Sequence, residues 1–120
     1  MLNRVKLQIL DIKELLRDLE SRLRTIYGSK IKKVYLYGSY ARGENKEGSD
    51  VDIMVLVDMS QEEIAKQREK VLNAVVDLTT QYGLVLSVIE NNYDYFHEWA
   101  DVIPFFANIE KEGIDIIGQN

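Results

Sequence analysis

Four residues carry the chemistry legible in this chain: Gly38 and Ser39 and, after ten further residues, Asp50 and Asp52. Gly38-Ser39 follows the β-branched and aromatic run Ile31–Tyr37, so it falls where a strand ends and the chain turns, with a short helix expected over 39–42. Glycine there lets the backbone approach a ligand, and the N–H groups at the start of a helix point toward an anion. The serine hydroxyl adds a donor, and the pair reads as a phosphate cradle. Two aspartates one residue apart on a strand project from the same face, roughly 6–7 Å apart along the chain. Such hard carboxylates repel each other and attract a cation, most naturally magnesium. Cradle and carboxylates together make a metal–triphosphate site, in which the cation bridges phosphate oxygens and offsets charge developing during phosphoryl or nucleotidyl transfer. Taken alone, a Gly-Ser pair is usually only a turn, and Asp-x-Asp is often a solvated edge. Four fixed positions at about 5–7% usage each recur about once in 10⁵ random starts, which favours the functional reading.

The elements that must position these residues are readable on either side of them. Leu2, Val5, Ile9, Ile12, Leu16, Leu19, Leu23 and Ile26 recur at alternating steps of three and four, with Leu7, Leu10 and Leu15 widening the stripe. Its width predicts a helix lying across a sheet rather than a coiled-coil seam, ended by Gly28. A second strand is expected from about Asp50 to Val57. Its odd positions, Val51, Ile53, Val55 and Val57, should face the core, while the other face begins with Asp50 and Asp52 and turns apolar at Met54 and Leu56. Ser60 and Glu63 have capping-box spacing and open a helix to about Gln81, with Ile64, Val71, Leu72, Val75 and Leu78 on its buried side. Gly83 breaks that helix, and Leu84 to Ile89 gives a third strand. Short helices are expected from about Tyr93 and near Pro104, with Gly113 as a stop and Ile114 to Ile117 as an edge strand.

Composition bounds the function. The 120 residues and 13.9 kDa fit one domain, 1–120, and the net charge of −5 argues against a protein that grips duplex nucleic acid by broad phosphate neutralisation. The absence of cysteine excludes disulfides and thiolate zinc sites, and the single histidine, His97, excludes a multi-histidine metal site within one chain. His97-Glu98 lacks the second histidine of a zinc-protease helix and reads as a surface or interface residue. The first residues carry charges throughout and form neither a signal peptide nor a membrane span, so a cytoplasmic location is expected. Tyr93, Tyr95, Phe96, Trp99, Phe105 and Phe106 concentrate aromatics late in the chain, where core packing is expected and any exposed remainder would mark a protein contact. Tyr37 and Tyr40 flank the Gly-Ser turn and read as packing residues or as a base-stacking pair. A homodimer is compatible with the small size and long apolar helix.

The stretch GSYARGENKEGSDVDIMV resembles the signature of the DNA polymerase β-like nucleotidyltransferase superfamily, Gly-Ser, ten residues, Asp-x-Asp, and the short chain is similar to its minimal nucleotidyltransferases. The resemblance implies an α+β fold of α/β type, a small mixed β-sheet flanked by helices. It implies magnesium on Asp50 and Asp52, which would be the catalytic carboxylates, and a triphosphate, expected to be ATP, over Gly38 and Ser39; Arg42, three residues beyond Ser39, reads either as a phosphate contact or as a solvated surface arginine. The implied reaction moves a nucleoside monophosphate to a hydroxyl and releases pyrophosphate. Many minimal members partner a helical HEPN toxin and act as its antitoxin, in some cases by adding AMP to a tyrosine.

One departure stands out. Active members of that superfamily carry a third carboxylate on the next strand, where this chain has Ser87. Glu90 is three residues beyond, so alternation sends it to the other face. Asp58 lies about 20 Å along the strand from Asp52, Asp77 is expected on the outer face of its helix, and Glu44 and Glu47 lie in the loop. Two functions follow: an enzyme that nucleotidylates a hydroxyl on a protein, or a binding module of the same fold, weak in chemistry, that neutralises a partner by contact.

Overall fold

The computed structural model describes residues 12–117. In chain order these form α1 (Lys13–Tyr27), β1 (Ile31–Tyr37), α2 (Ser39–Arg42), β2 (Val51–Val57), α3 (Gln61–Tyr82), β3 (Leu86–Asn92), α4 (Tyr93–Trp99), α5 (Pro104–Glu112) and β4 (Ile114–Asp115). The strands make one mixed sheet in the order β3-β2-β1-β4. β1 is antiparallel to both β2 and β4, and β3 runs parallel to β2. The expected α+β architecture is the one observed, with an edge strand that spans only Ile114–Asp115 and stops short of Ile117.

β2 organises the molecule because both of its faces are covered. Val51, Ile53, Val55 and Val57 pack under α1 and α3, against Leu15, Leu19 and Leu23 from one helix and Ile64, Val71 and Leu78 from the other. Met54 and Leu56 point the opposite way, onto Tyr35, Tyr37, Phe96, Phe106 and Ile109 beneath α4 and α5. Each fully buried aliphatic side chain of this kind contributes roughly 1.5–3 kcal/mol. The alternation expected for β2 therefore holds on both faces: after Asp52 the second face closes over an aromatic core. α1 lies on the sheet, as its broad stripe predicts; Leu2, Val5, Leu7, Ile9 and Leu10 lie outside the described residues. α1 and α3 are also tied at the surface by the Arg22–Asp77 ion pair at 3.2 Å and by the Tyr82 hydroxyl, which donates to Asp18.

α3 begins with the expected capping box. The Glu63 N–H donates to Ser60 Oγ at 3.1 Å and the Ser60 N–H donates to Glu63 Oε1 at 2.9 Å, and these bonds hold the Glu63 carboxyl below its ordinary range. Two expectations need correction. Leu72 is 58% exposed and Val75 only half-buried, because the buried side of α3 runs through Ile64, Val71, Ala74 and Leu78, which turns Leu72 outward. β3 covers Leu86–Asn92 rather than Leu84 to Ile89, since its parallel partner sets its extent: Val51 pairs with Leu86 and Val57 with Asn92, which draws two asparagines into the ladder. No helix among the described residues is long and apolar enough to cross a membrane.

Candidate active site

The site is assembled at the end of β1 and the start of β2. Gly38 terminates β1 with φ +76° and ψ −156°, a region open essentially only to glycine. A Cβ added at Gly38 would overlap the Asp52 carboxylate, so that carboxylate lies directly against the backbone of the turn. The chain then closes into the expected single turn of helix, α2, whose end is bound by the Arg42 N–H donating to Gly38 O at 3.1 Å. Asp50 is exposed just before β2, and Asp52 is half-buried within it. The structure thus brings Gly38 and Asp52 into contact across thirteen intervening residues, with Ser39 directly after the one and Asp50 two positions before the other.

Asp52 sits in the middle of a row across three strands. Its register partner on β1 is Tyr37 and its partner on β3 is Ser87. Burial raises the Asp52 carboxyl above its ordinary range, the neighbouring Asp50 charge raises it further, and Arg42 opposes both. The Tyr37 hydroxyl is pushed up to about 12, first by burial and then by the Asp52 charge. A carboxylate that is costly to ionise beside a second one is a group that gains from a cation. By that test the donor chemistry of Asp50 and Asp52 suits a divalent ion, whose remaining ligands would have to come from outside the pair. Among the described residues no group of three or more histidine, aspartate or glutamate side chains could hold a metal.

The other sequence-nominated groups fall into place around this row. Ser87 occupies the level of Asp52 on the adjacent strand, as anticipated. Glu90 pairs with Val55 and so lies on the α1–α3 face of the sheet, where it lines a groove of about 330 Å³ with Arg68, Val71, Leu72 and Val75. Burial raises its carboxyl, partly offset by Arg68. Arg42 is engaged on the surface, with Nε 2.9 Å from Glu44 and a terminal nitrogen 3.1 Å from Glu112. Glu112 lies 70 residues away in sequence, and nothing in the local pattern announces it. Tyr37 and Tyr40 are both buried, the packing outcome. Asp58 and Glu47 are exposed. His97 joins α4 to α5 through Glu110, 3.1 Å from Nδ1.

A mixed sheet carrying a glycine-serine turn against an aspartate pair defines a nucleotidyltransferase-type protein. The sequence profile of the nucleotidyltransferase domain family matches residues 12–111, and the chain belongs to that family. It is similar to two Methanocaldococcus jannaschii proteins provisionally named protein adenylyltransferases. One is 32% identical over 101 residues, covering 82% of this chain and 90% of the relative; the other is 31% identical over 107 residues, covering 89% and 100%. Two solved structures share the fold. A toxin–antitoxin with AMP-PNP aligns at a TM-score of 0.60 and 19% identity, over 88% of this chain and 74% of that one. A toxin–antitoxin MntA–HpeT mutant aligns at 0.53 and 20% identity, over 99% and 76%.

Proposed function

We propose that this chain transfers AMP from ATP, with magnesium, to a hydroxyl on a partner protein, and that the partner is a HEPN-type toxin which the modification neutralises. The observation that carries this reading is the seating of the Asp52 carboxylate against the backbone of Gly38, which makes the cation site and the phosphate site one continuous surface. The names of the adenylyltransferase relatives and the nucleotide in the toxin–antitoxin of like fold support the choice of substrate and partner.

In this reading Asp50 and Asp52 hold the cation, and Gly38 and Ser39 hold the β- and γ-phosphates. Magnesium, when bound, supplies charge neutralisation on the phosphate oxygens. Asp52 is poised for that task because its environment disfavours an uncompensated charge. Arg42 adds positive potential at the same end of the sheet, shared with Glu44 and Glu112. The acceptor oxygen bonds to the α-phosphorus as pyrophosphate leaves, and the acceptor proton passes to solvent, since β3 presents Ser87 rather than a carboxylate at that level. Transfer is accordingly slow.

The test is calorimetric titration of magnesium-ATP into the protein and its Asp52→Asn variant, followed by assay of labelled AMP on a co-expressed toxin. Metal-dependent binding confined to the unaltered chain is the expected result; equal transfer by Asp52→Asn would sink the assignment. Ser87 favours a second reading, neutralisation by contact alone. Under it, Asp52→Asn protects cells from the toxin as well as the unaltered chain does.

A further inference from the structure

Four large apolar side chains lie exposed within eleven residues of the chain: Tyr95 at 42%, Trp99 at 40%, Val102 at 65% and Phe105 at 42%. Ring and backbone contacts link them, in part through the buried Phe106. Tyr95 and Trp99 are a turn apart on α4, with ring centroids 6.3 Å apart, and the Val102 N–H donates to Trp99 O at 3.0 Å, which carries Val102 on beneath them. Tyr95 meets Phe106 edge-on at 6.0 Å, and Phe106 lies 6.2 Å from Phe105. Phe105 in turn packs edge-on against Tyr37 at 5.7 Å, and Tyr37 is the register partner of Asp52. Ring contacts through the buried Phe106 and Tyr37 therefore connect these exposed side chains to the strand position beside Asp52.

Its charge is one-sided. Tyr95, Trp99 and Val102 follow steps of four and three, and Asp94, Glu98 and Asp101 repeat the same steps one position earlier, all exposed. Along α4 and the turn after it, an exposed carboxylate thus precedes each of these exposed apolar residues, while Phe96 and Ala100 are buried. From Tyr93 to Glu110 there is no lysine or arginine, and the sole histidine is paired with Glu110. Aromatic anchors beside unpaired carboxylates suit a basic, apolar protein surface. The same carboxylates repel nucleic acid and anionic lipid.

We propose that this face docks the acceptor protein through an amphipathic helix whose apolar stripe is flanked by lysine or arginine. The proposal rests on the reading that the AMP acceptor is a protein, and it supplies what the site itself lacks, a means of choosing that protein. The helix would lie along α4 with its apolar side chains on Trp99 and Val102 and its cations on Glu98 and Asp101. An acceptor hydroxyl beyond the docked element would then be delivered past Phe105 to the Asp52 end of the sheet.

Trp99 is the only tryptophan in the chain, so its emission reports on the patch directly. The probe is a synthetic helical peptide of about 18 residues with a leucine stripe flanked by lysines, compared with a twin carrying glutamates in their place. The lysine peptide is expected to shift Trp99 emission to the blue and to saturate, while the glutamate twin does neither. Val102→Ser, at an exposed position that does not threaten folding, should weaken the lysine peptide about tenfold. Glu98→Lys should weaken it more at about 0.05 M salt than at about 0.5 M. Equal binding of the two peptides, or binding indifferent to Val102→Ser, overturns the proposal, as does a stronger Trp99 response to phosphatidylserine vesicles than to the lysine peptide. Magnesium-ATP titration of the unaltered protein reads the nucleotide site separately, so loss of the docking surface and loss of the proposed function give different results.

Discussion

Replacing Gly38 by alanine isolates the contact on which the site depends. The backbone at φ +76° and ψ −156° costs a side-chain-bearing residue about 1–3 kcal/mol by itself. The new Cβ would also overlap the Asp52 carboxylate oxygen and come within 3.1 Å of Cγ and 3.3 Å of Cβ. Asp52 can yield only by leaving its place between Tyr37 and Ser87. A total of about 3 kcal/mol follows, and at about 4 °C per kcal/mol for a chain of this size Tm should fall by about 12 °C. The diagnostic quantity is the coupling between the two positions. In an Asp52→Ala background the carboxylate is gone, the backbone strain and the 3.3 Å contact remain, and Gly38→Ala should cost about 1 kcal/mol less. Urea denaturation of the unaltered protein, both single variants and the double variant measures that difference. Additivity within about 0.3 kcal/mol would refute the claim that the carboxylate rests on the turn.

Ser60→Ala removes one side of the α3 capping box and should lower Tm by about 4 °C while leaving nucleotide binding intact, read by thermal unfolding and calorimetry. Glu90→Gln should stabilise the protein at neutral pH. The Glu90 carboxyl is raised in the folded state, so its ionisation costs stability that is absent below the unfolded value of about 4.3 and fully present above the folded one. Urea unfolding should therefore show an advantage for Glu90→Gln at pH 7 that disappears near pH 3. Arg42→Ala should weaken magnesium-ATP binding several-fold, whereas Glu112→Gln, which releases one of the two carboxylates holding that guanidinium, should strengthen it.

Much of this was legible in the chain because it is written locally. The β1 span, the single turn at Ser39–Arg42, the two-faced alternation of β2 and the Ser60–Glu63 box are each set by residues within a few positions of one another. The end of β3 was not, because Asn91 and Asn92 have poor strand propensity and are drawn in by seven parallel pairs with β2. Leu72 misled for a related reason: an apolar residue on an amphipathic helix is assigned inward by pattern, but the width of the buried stripe depends on what packs above it. The four motif residues were readable as a set through their types and spacing. What spacing does not encode is the contact of Asp52 with Gly38, the pairing of Arg42 with Glu112, or the aromatic path from Trp99 to Tyr37, all of which join segments brought together only by the sheet.

Ser87 links the stability of this site to its chemistry. Asp52 already carries an unfavourable charge from burial and from Asp50, and adjacent strands place Ser87 about 5 Å from it on the same face. A third carboxylate there would add like-charge repulsion of about 2 kcal/mol at an effective dielectric near 30. A serine spares the protein that repulsion; under the proposed function it also leaves that level of the sheet without a group to hold a second ion or accept a proton. Ser87→Asp should accordingly lower Tm in chelator by about 8 °C. The loss should be recovered as magnesium is added, because a ligand that binds only the folded state stabilises it by RT ln(1 + [L]/Kd). The unaltered protein should show a smaller magnesium-dependent gain. Equal magnesium dependence in the two proteins would mean that position 87 does not face the carboxylate pair, contrary to its register with Asp52.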